Sequence, residues 1–268
     1  MTGPVETLEH LDVPPQLRPL ARALQARAPS FGRLLWMELR KSVDTRASRW
    51  VLLAVLGLAV AGVLLRLRDA GLGPVTYAGY VGDIFSVLGL VLPVIGVLAM
   101  TAEWSQRTAL STFTLVPRRG RVLTAKVVAA VLVATATALV CAGIAAAGVL
   151  AAAQSSGEAA DWSAAPEATF AALSAIVLNV LMGIAFGALL SSTATALVAY
   201  YVLPVGFAIA GSEVFGEAAS WLDIITAFSR VSLMQAQGQW PQIGVAVTVW
   251  VLLPLVAGVV RSLRREVT

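Results

Sequence analysis

Six apolar stretches, each about long enough to cross a bilayer, leave this chain few folds to choose from. They lie at 50–65, 84–102, 127–153, 168–190, 194–211 and 243–260. A hydrocarbon core of roughly 30 Å takes about 17–25 helical residues. The first stretch is short and sits between Arg49 and Arg66, either of which can reach the headgroups unless the helix continues through Leu67. The third is longer than a span needs, so it should tilt or emerge. Continuous runs of Leu, Val and Ala replace the two-residue alternation of a barrel strand, so the spans read as helices. Hydrophobic residues make up 58% of the chain, charged ones 13%, and the mean hydropathy is +0.83. A soluble domain of this length has no interior for that much apolar surface, whereas lipid accepts it.

Charge placement orients the spans. Arg18, Arg22, Arg27, Arg33, Arg40, Lys41, Arg46 and Arg49 precede the first span. Arg107, Arg118, Arg119, Arg121 and Lys126 fall between the second and third, and Arg261, Arg264 and Arg265 follow the last. The alternate connections carry Asp69, Asp83, Glu158, Asp161, Glu167, Glu213, Glu217 and Asp223, with only Arg66, Arg68 and Arg230. Both termini are therefore expected in the cytoplasm. The net charge of +4 and pI near 9.7 follow from this asymmetry and make no case for nucleic acid, which would need a soluble basic face. Residues 1–30, with five prolines, read as a flexible cytoplasmic tail without the apolar core of a signal peptide. Cys141 is the sole cysteine and sits inside the third span, so disulfides and thiolate metal sites are excluded.

Residues 31–47 predict an amphipathic helix. Phe31, Leu35, Leu39 and Val43 recur every fourth residue, Leu34 widens the stripe, and Arg33, Glu38, Arg40, Lys41 and Asp44 lie largely off it. Such a helix should rest in the cytoplasmic interface, its apolar side in the acyl boundary and its basic side on headgroups. After the second span, Glu103 and Arg107 are spaced to pair on a helix. Thr108, Leu110, Phe113 and Leu115 are too apolar for a solvated loop, and 118–121 reads as a basic turn after Pro117. Apolar residues rimmed by charge point to a docking surface, the alternative being a positive-inside tether with a re-packed loop.

The elements in that order, with Glu103-x-x-x-Arg107-Thr108, Val116-Pro117-Arg118-Arg119 and then Lys126 between spans two and three, resemble the permease subunit of type-2 ATP-binding-cassette (ABC) exporters, in an actinobacterial-looking version. The resemblance covers roughly 31–261. It implies an all-α membrane protein of six transmembrane helices with both termini cytoplasmic, preceded by an interfacial elbow helix bearing Phe31, Leu35, Leu39, Arg40 and Lys41. It implies a coupling helix held by a separate ATPase subunit, with Glu103, Arg107, Thr108, Phe113, Arg118 and Arg119 at or near the contact. It further implies a second permease copy, identical or related, and a location in the bacterial plasma membrane. The last external connection would then fold into short helices, for which Trp221, Ile224, Ile225 and Phe228 have helical spacing.

No Gly-x-x-x-x-Gly-Lys-Ser/Thr occurs, so the chain has no P-loop of its own; ATP and Mg would be held by the partner, and no cofactor or catalytic residue is expected here. Within the spans, Asn179 needs an interhelical partner or contacts substrate. Gly183 and Gly187 permit close helix approach, and Ala194, Ala199, Gly206, Ala210 and Gly211 smooth span five for a second copy or a lipid-like substrate. Pro93, Pro204 and Pro254 interrupt spans two, five and six as hinges or as shape. No charge sits mid-span, which argues against ion-driven transport and favours an apolar or amphipathic cargo: a drug, lipid or peptide. Two rivals remain to weigh. Intramembrane proteolysis, to which Glu103-x-x-x-Arg107 bears a superficial likeness, lacks a histidine at membrane depth, since His10 is the only one. A non-transporting ABC-type subunit for sensing or antibiotic immunity usually carries a large external domain, and the connections here are short.

Overall fold

The computed structural model describes residues 30–68, 74–105 and 119–264, without the side chains of 103–105, 119 and 264. It is all-helical, and six helical stretches are long and apolar enough to cross a membrane. The 1–30 tail lies outside the described residues except for Ser30. Ser30 caps α1 (Phe31–Asp44), its hydroxyl accepting from the Arg33 N–H at 3.3 Å.

The helix expected over 31–47 stops three residues early. Thr45 is extended, and its hydroxyl accepts the Ser48 N–H at 3.3 Å, so it ends α1 and caps α2 (Arg46–Arg68). The second span is built from α3 (Tyr77–Val91) and α4 (Pro93–Ser105), divided at Leu92 because Pro93 has no N–H to give the preceding turn. The basic segment 118–121, read from the sequence as a turn, is corrected: Arg119, Gly120 and Arg121 open α5 (Arg119–Ser156). Arginine is a good helix former and a helix start leaves N–H groups needing no Gly-type geometry, so the run continues the helix. At 38 residues α5 is about 57 Å long, well beyond a roughly 30 Å core.

α6 (Ala165–Leu190) is the centre of the bundle. It touches α3, α4, α5, α7 (Thr193–Phe215), α9 (Ile224–Ser232) and α11 (Leu253–Arg264). Two buried clusters lie on its sides. One joins α2, α3, α4 and α5 through Val55, Ile84, Ile95 and Val149; the other joins α7, α9 and α10 (Trp240–Val247) through Tyr200, Phe228 and Ala246. Between α7 and α9 run a short 3-10 turn and α8 (Ala219–Leu222). A π turn at Thr248–Leu252 separates α10 from α11 and precedes Pro254, where an ordinary helix would clash with the prior turn. The Trp250 indole N–H donates to the Leu222 carbonyl at 2.7 Å and ties α8 to this bulge.

At the acidic end, Val75 and Tyr77 exchange backbone hydrogen bonds with Asp161 at 2.9 and 3.0 Å, and Tyr77 stacks on Trp162. The Ser163 N–H donates to the Asp161 carboxylate at 2.9 Å and holds that carboxyl below its ordinary range. Arg66 pairs with Asp83 and lies over the Tyr80 ring. At the basic end, the Arg261 guanidinium donates to the Leu189 carbonyl at 2.8 Å, supplying a donor to the last turn of α6.

Candidate functional site

Two features bring polar groups into an otherwise apolar bundle. The first is the corner where α1 meets α5 at the basic end. Leu34 is buried there against Val122 and Ala125. One turn on, the Glu38 carboxylate lies 3.0 Å from the Lys126 ammonium, with Lys41 at 3.5 Å on its other oxygen. Lys126 is 3% exposed and Glu38 13%, so this pair is held largely out of solvent. The pair, with Ser42, Thr45, Ser48 and Ala102, lines a cavity of about 190 Å³. The face that α1 turns to the bundle is therefore centred on Leu34 and Glu38. Leu35 and Leu39 are half-buried beside it, while Phe31 and Val43 are exposed. Arg40 reaches Asp44 at 3.1 Å on the outer side. Glu38 was not singled out in the sequence; the available signal was Lys126, a cation at the threshold of an apolar run that required an anion nearby.

Of the residues expected at an ATPase contact, Arg107, Thr108, Phe113 and Arg118 lie outside the described residues. Glu103 is on the last turn of α4, and Arg119 opens α5; neither side chain is described. Both helices end beside the Glu38–Lys126 corner, since Ala102 of α4 and Lys126 of α5 line the same cavity.

The second feature is a cavity of about 300 Å³ among α3, α6, α7 and α9. Asn179 lies on its wall. Its Nδ2 donates to the Ala175 carbonyl at 2.9 Å, one turn back on its own helix, and its Oδ1 accepts the Tyr200 hydroxyl at 2.9 Å across to α7. The neighbouring Tyr201 hydroxyl donates to the Leu90 carbonyl of α3. That carbonyl belongs to the turn disturbed by Pro93, so a side chain from another helix serves backbone the proline has loosened. Tyr200 and Tyr201 meet edge to face, 4.8 Å between centroids. Asn179 thus pins α6 to α7 beside the cavity. Neither tyrosine was selected from the sequence, although two adjacent hydroxyls mid-span marked them as needing partners.

Gly183 and Gly187 face α4, within the same chain. A Cβ at Gly183 would lie 2.4 Å from the Pro93 carbonyl oxygen, one at Gly187 3.1 Å from the Val97 oxygen, and one at Gly96 of α4 2.5 Å from the Val180 oxygen. Backbone meets backbone along this seam, as small residues allow in lipid. Thr101 and Thr193 share a hydrogen bond of 2.7 Å at its basic end.

Among the described residues no three His, Cys, Asp or Glu side chains cluster where they could hold a metal. Neither the protein-family models nor the curated proteins contain a match to this chain. What the second cavity offers chemically is uncharged, hydroxyls, an amide and hydrocarbon, whereas the corner between α1 and α5 carries charge in Glu38, Lys41 and Lys126.

Proposed function

We propose that this chain is the membrane subunit of an ATP-driven exporter of the type-2 ABC kind, in the bacterial plasma membrane. It would pair with a second copy or a related permease, and a separate cytoplasmic subunit would bind ATP and Mg and hydrolyse the nucleotide. The observation that carries this reading is the corner at the basic end. There α1 is fastened by Glu38 to Lys126 at the start of α5, beside Ala102 near the end of α4. α4 and α5 are the two helices that the 106–118 connection joins, so a partner pulling on that connection moves both together with α1.

The movement has a route inward. α4 lies backbone to backbone on α6 at Gly96 and Gly183, a contact too close to slide without opening. α6 in turn holds α7 through Asn179 and Tyr200, at the wall of the 300 Å³ cavity. A push at 106–118 would therefore alter a cavity lined by uncharged groups, which suits an apolar or amphipathic cargo. The orientation, with 106–118 in the cytoplasm, follows from the lysine and arginine distribution.

The test is purification of the tagged full chain from its own membranes with whatever P-loop ATPase accompanies it, followed by reconstitution into vesicles. The expected result is a stoichiometric complex whose ATP hydrolysis rises with an apolar cargo, no hydrolysis by this chain alone, and loss of stimulation in Arg107→Ala. A chain that hydrolyses ATP unaided, or cysteine labelling that puts 106–118 outside the cell, defeats the reading. A complex that binds nucleotide and cargo but moves none would mark a sensing or immunity subunit.

A further inference from the structure

We infer that the cavity among α3, α6, α7 and α9 is a binding site for one uncharged, single-chain amphiphile carrying a hydroxyl, such as a long-chain alcohol, which enters sideways from the bilayer. This deepens the export reading, on whose cargo cavity it rests, but binding is tested without nucleotide or partner, so the two can fail separately.

Size comes first. At about 300 Å³ the cavity is at the lower limit of the roughly 300–1,000 Å³ common for small-molecule pockets. It has room for one hydrocarbon chain and none for a two-tailed phospholipid. Access comes next. Leu90, Val205 and Ile225 on its rim are exposed on the apolar outer surface of the helices, so the mouth opens toward lipid.

The polar inventory sets the ligand's chemistry. No charged side chain lines the cavity, so an ionised headgroup drawn inside would lose its hydration without compensation. Ser86, Ser229 and Ser232 each spend their hydroxyl hydrogen on a backbone carbonyl at 2.7–2.9 Å and keep lone pairs for accepting. Asn179 gives one amide hydrogen to Ala175 and has a second; Tyr200, having donated to Asn179, can still accept. A ligand hydroxyl, one donor and one acceptor, matches acceptors on both sides and the single amide donor. Gly89 sits over that amide: a Cβ there would be 3.9 Å from Nδ2, with no other atom within 4 Å. A larger side chain at 89 can therefore fill the site without displacing backbone.

The experiment uses the full-length chain in lipid nanodiscs and a diazirine-bearing dodecanol, with cross-links mapped by mass spectrometry. Labelling is expected on residues around Gly89, Asn179 and Phe228, reduced roughly tenfold by excess 1-dodecanol and little changed by ionised dodecanoate. Gly89→Leu should abolish it, and Gly82→Leu on the same helix, where a Cβ meets nothing within 4 Å, should not. Competition in the wild-type chain decides the matter even if Gly89→Leu fails to fold. Labelling scattered over lipid-facing Val198, Val202 and Ile209 without competition, or dodecanoate competing as well as the alcohol, overturns the proposal.

Discussion

Glu38 and Lys126, 88 positions apart in sequence, hold their charges 3.0 Å apart at the seam of α1 and α5, and both are largely withdrawn from solvent. A buried pair costs more to break than it gains on forming, because the remaining charge is left in a poor medium. Glu38→Gln should lower unfolding stability by about 1–3 kcal/mol, Lys126→Met by less because Lys41 stays 3.5 Å from the Glu38 carboxylate, and Glu38→Leu with Lys126→Met together should recover part of the loss. Thermal unfolding in detergent micelles, followed by tryptophan fluorescence, measures all three. Single variants as stable as the wild type would show that the pair contributes nothing to holding α1.

The α4–α6 seam makes a steric prediction. Gly183→Ala places a methyl 2.4 Å from the Pro93 oxygen, and Gly96→Ala places one 2.5 Å from the Val180 oxygen. Neither neighbour is a movable side chain, so the helices must separate, at a cost of about 1–3 kcal/mol. Gly143→Ala on α5 meets nothing within 4 Å and should be neutral or stabilising by about 0.5–1 kcal/mol through helix propensity. If all three behave alike under the same unfolding assay, the close approach is not a constraint.

The apolar runs located all six spans because each is continuous over a bilayer's thickness, a signal carried by neighbours in sequence. Span ends were less legible. Residues such as Tyr77, Arg119 and Ser156 add no hydropathy yet extend their helices, since polar helix formers continue a helix once it is nucleated. Thr45 ended α1 early through a cap whose acceptor role depends on local backbone geometry. The partners were the least legible part. Nothing in sequence ties Asn179 to Tyr200 in preference to another hydroxyl, or Lys126 to Glu38 in preference to Asp44. Those choices are made by how helices cross, and Phe31 and Val43, on the apolar stripe of α1, stay exposed while off-stripe Glu38 turns inward.

On the outer side of α1, Asp44 accepts from Arg40 Nε and Arg49 Nη2, each at 3.1 Å. The Arg40 guanidinium, then that of Arg49, hold its carboxyl below the ordinary value of 3.8. A depressed folded value means that the contribution to stability is complete above 3.8 and is lost as pH falls through the lower folded value. The group is exposed to solvent, so salt should weaken the shift. Carboxyl-carbon NMR of the full chain should show the Asp44 midpoint rising toward its ordinary value in Arg40→Gln and in 1 M salt. A midpoint that stays put in both would mean that the two arginines do not hold Asp44 in solution.

The Asn179–Tyr200 bond supplies the last prediction. The Tyr200 hydroxyl lies 2.9 Å from Asn179 Oδ1, and Tyr200 is buried between α6 and α7. In lipid such a bond is expected to be worth about 0.6 kcal/mol and at most about 1.7, because an unfolded helix in the bilayer also finds partners for its polar groups. Tyr200→Phe removes only the donor and preserves the ring that packs edge to face on Tyr201. Asn179→Leu removes the acceptor and the link to Ala175 together, so it should cost more than Tyr200→Phe alone. The two losses should therefore not add: in a double-mutant cycle, Tyr200→Phe should cost less in the Asn179→Leu background by the energy of the shared bond. Denaturant titration in mixed micelles gives the four stabilities. Strict additivity would show that the hydroxyl and the amide do not bond across α6 and α7, and the hydrogen-bond inventory of the adjoining cavity would have to be drawn again with both groups open to a ligand.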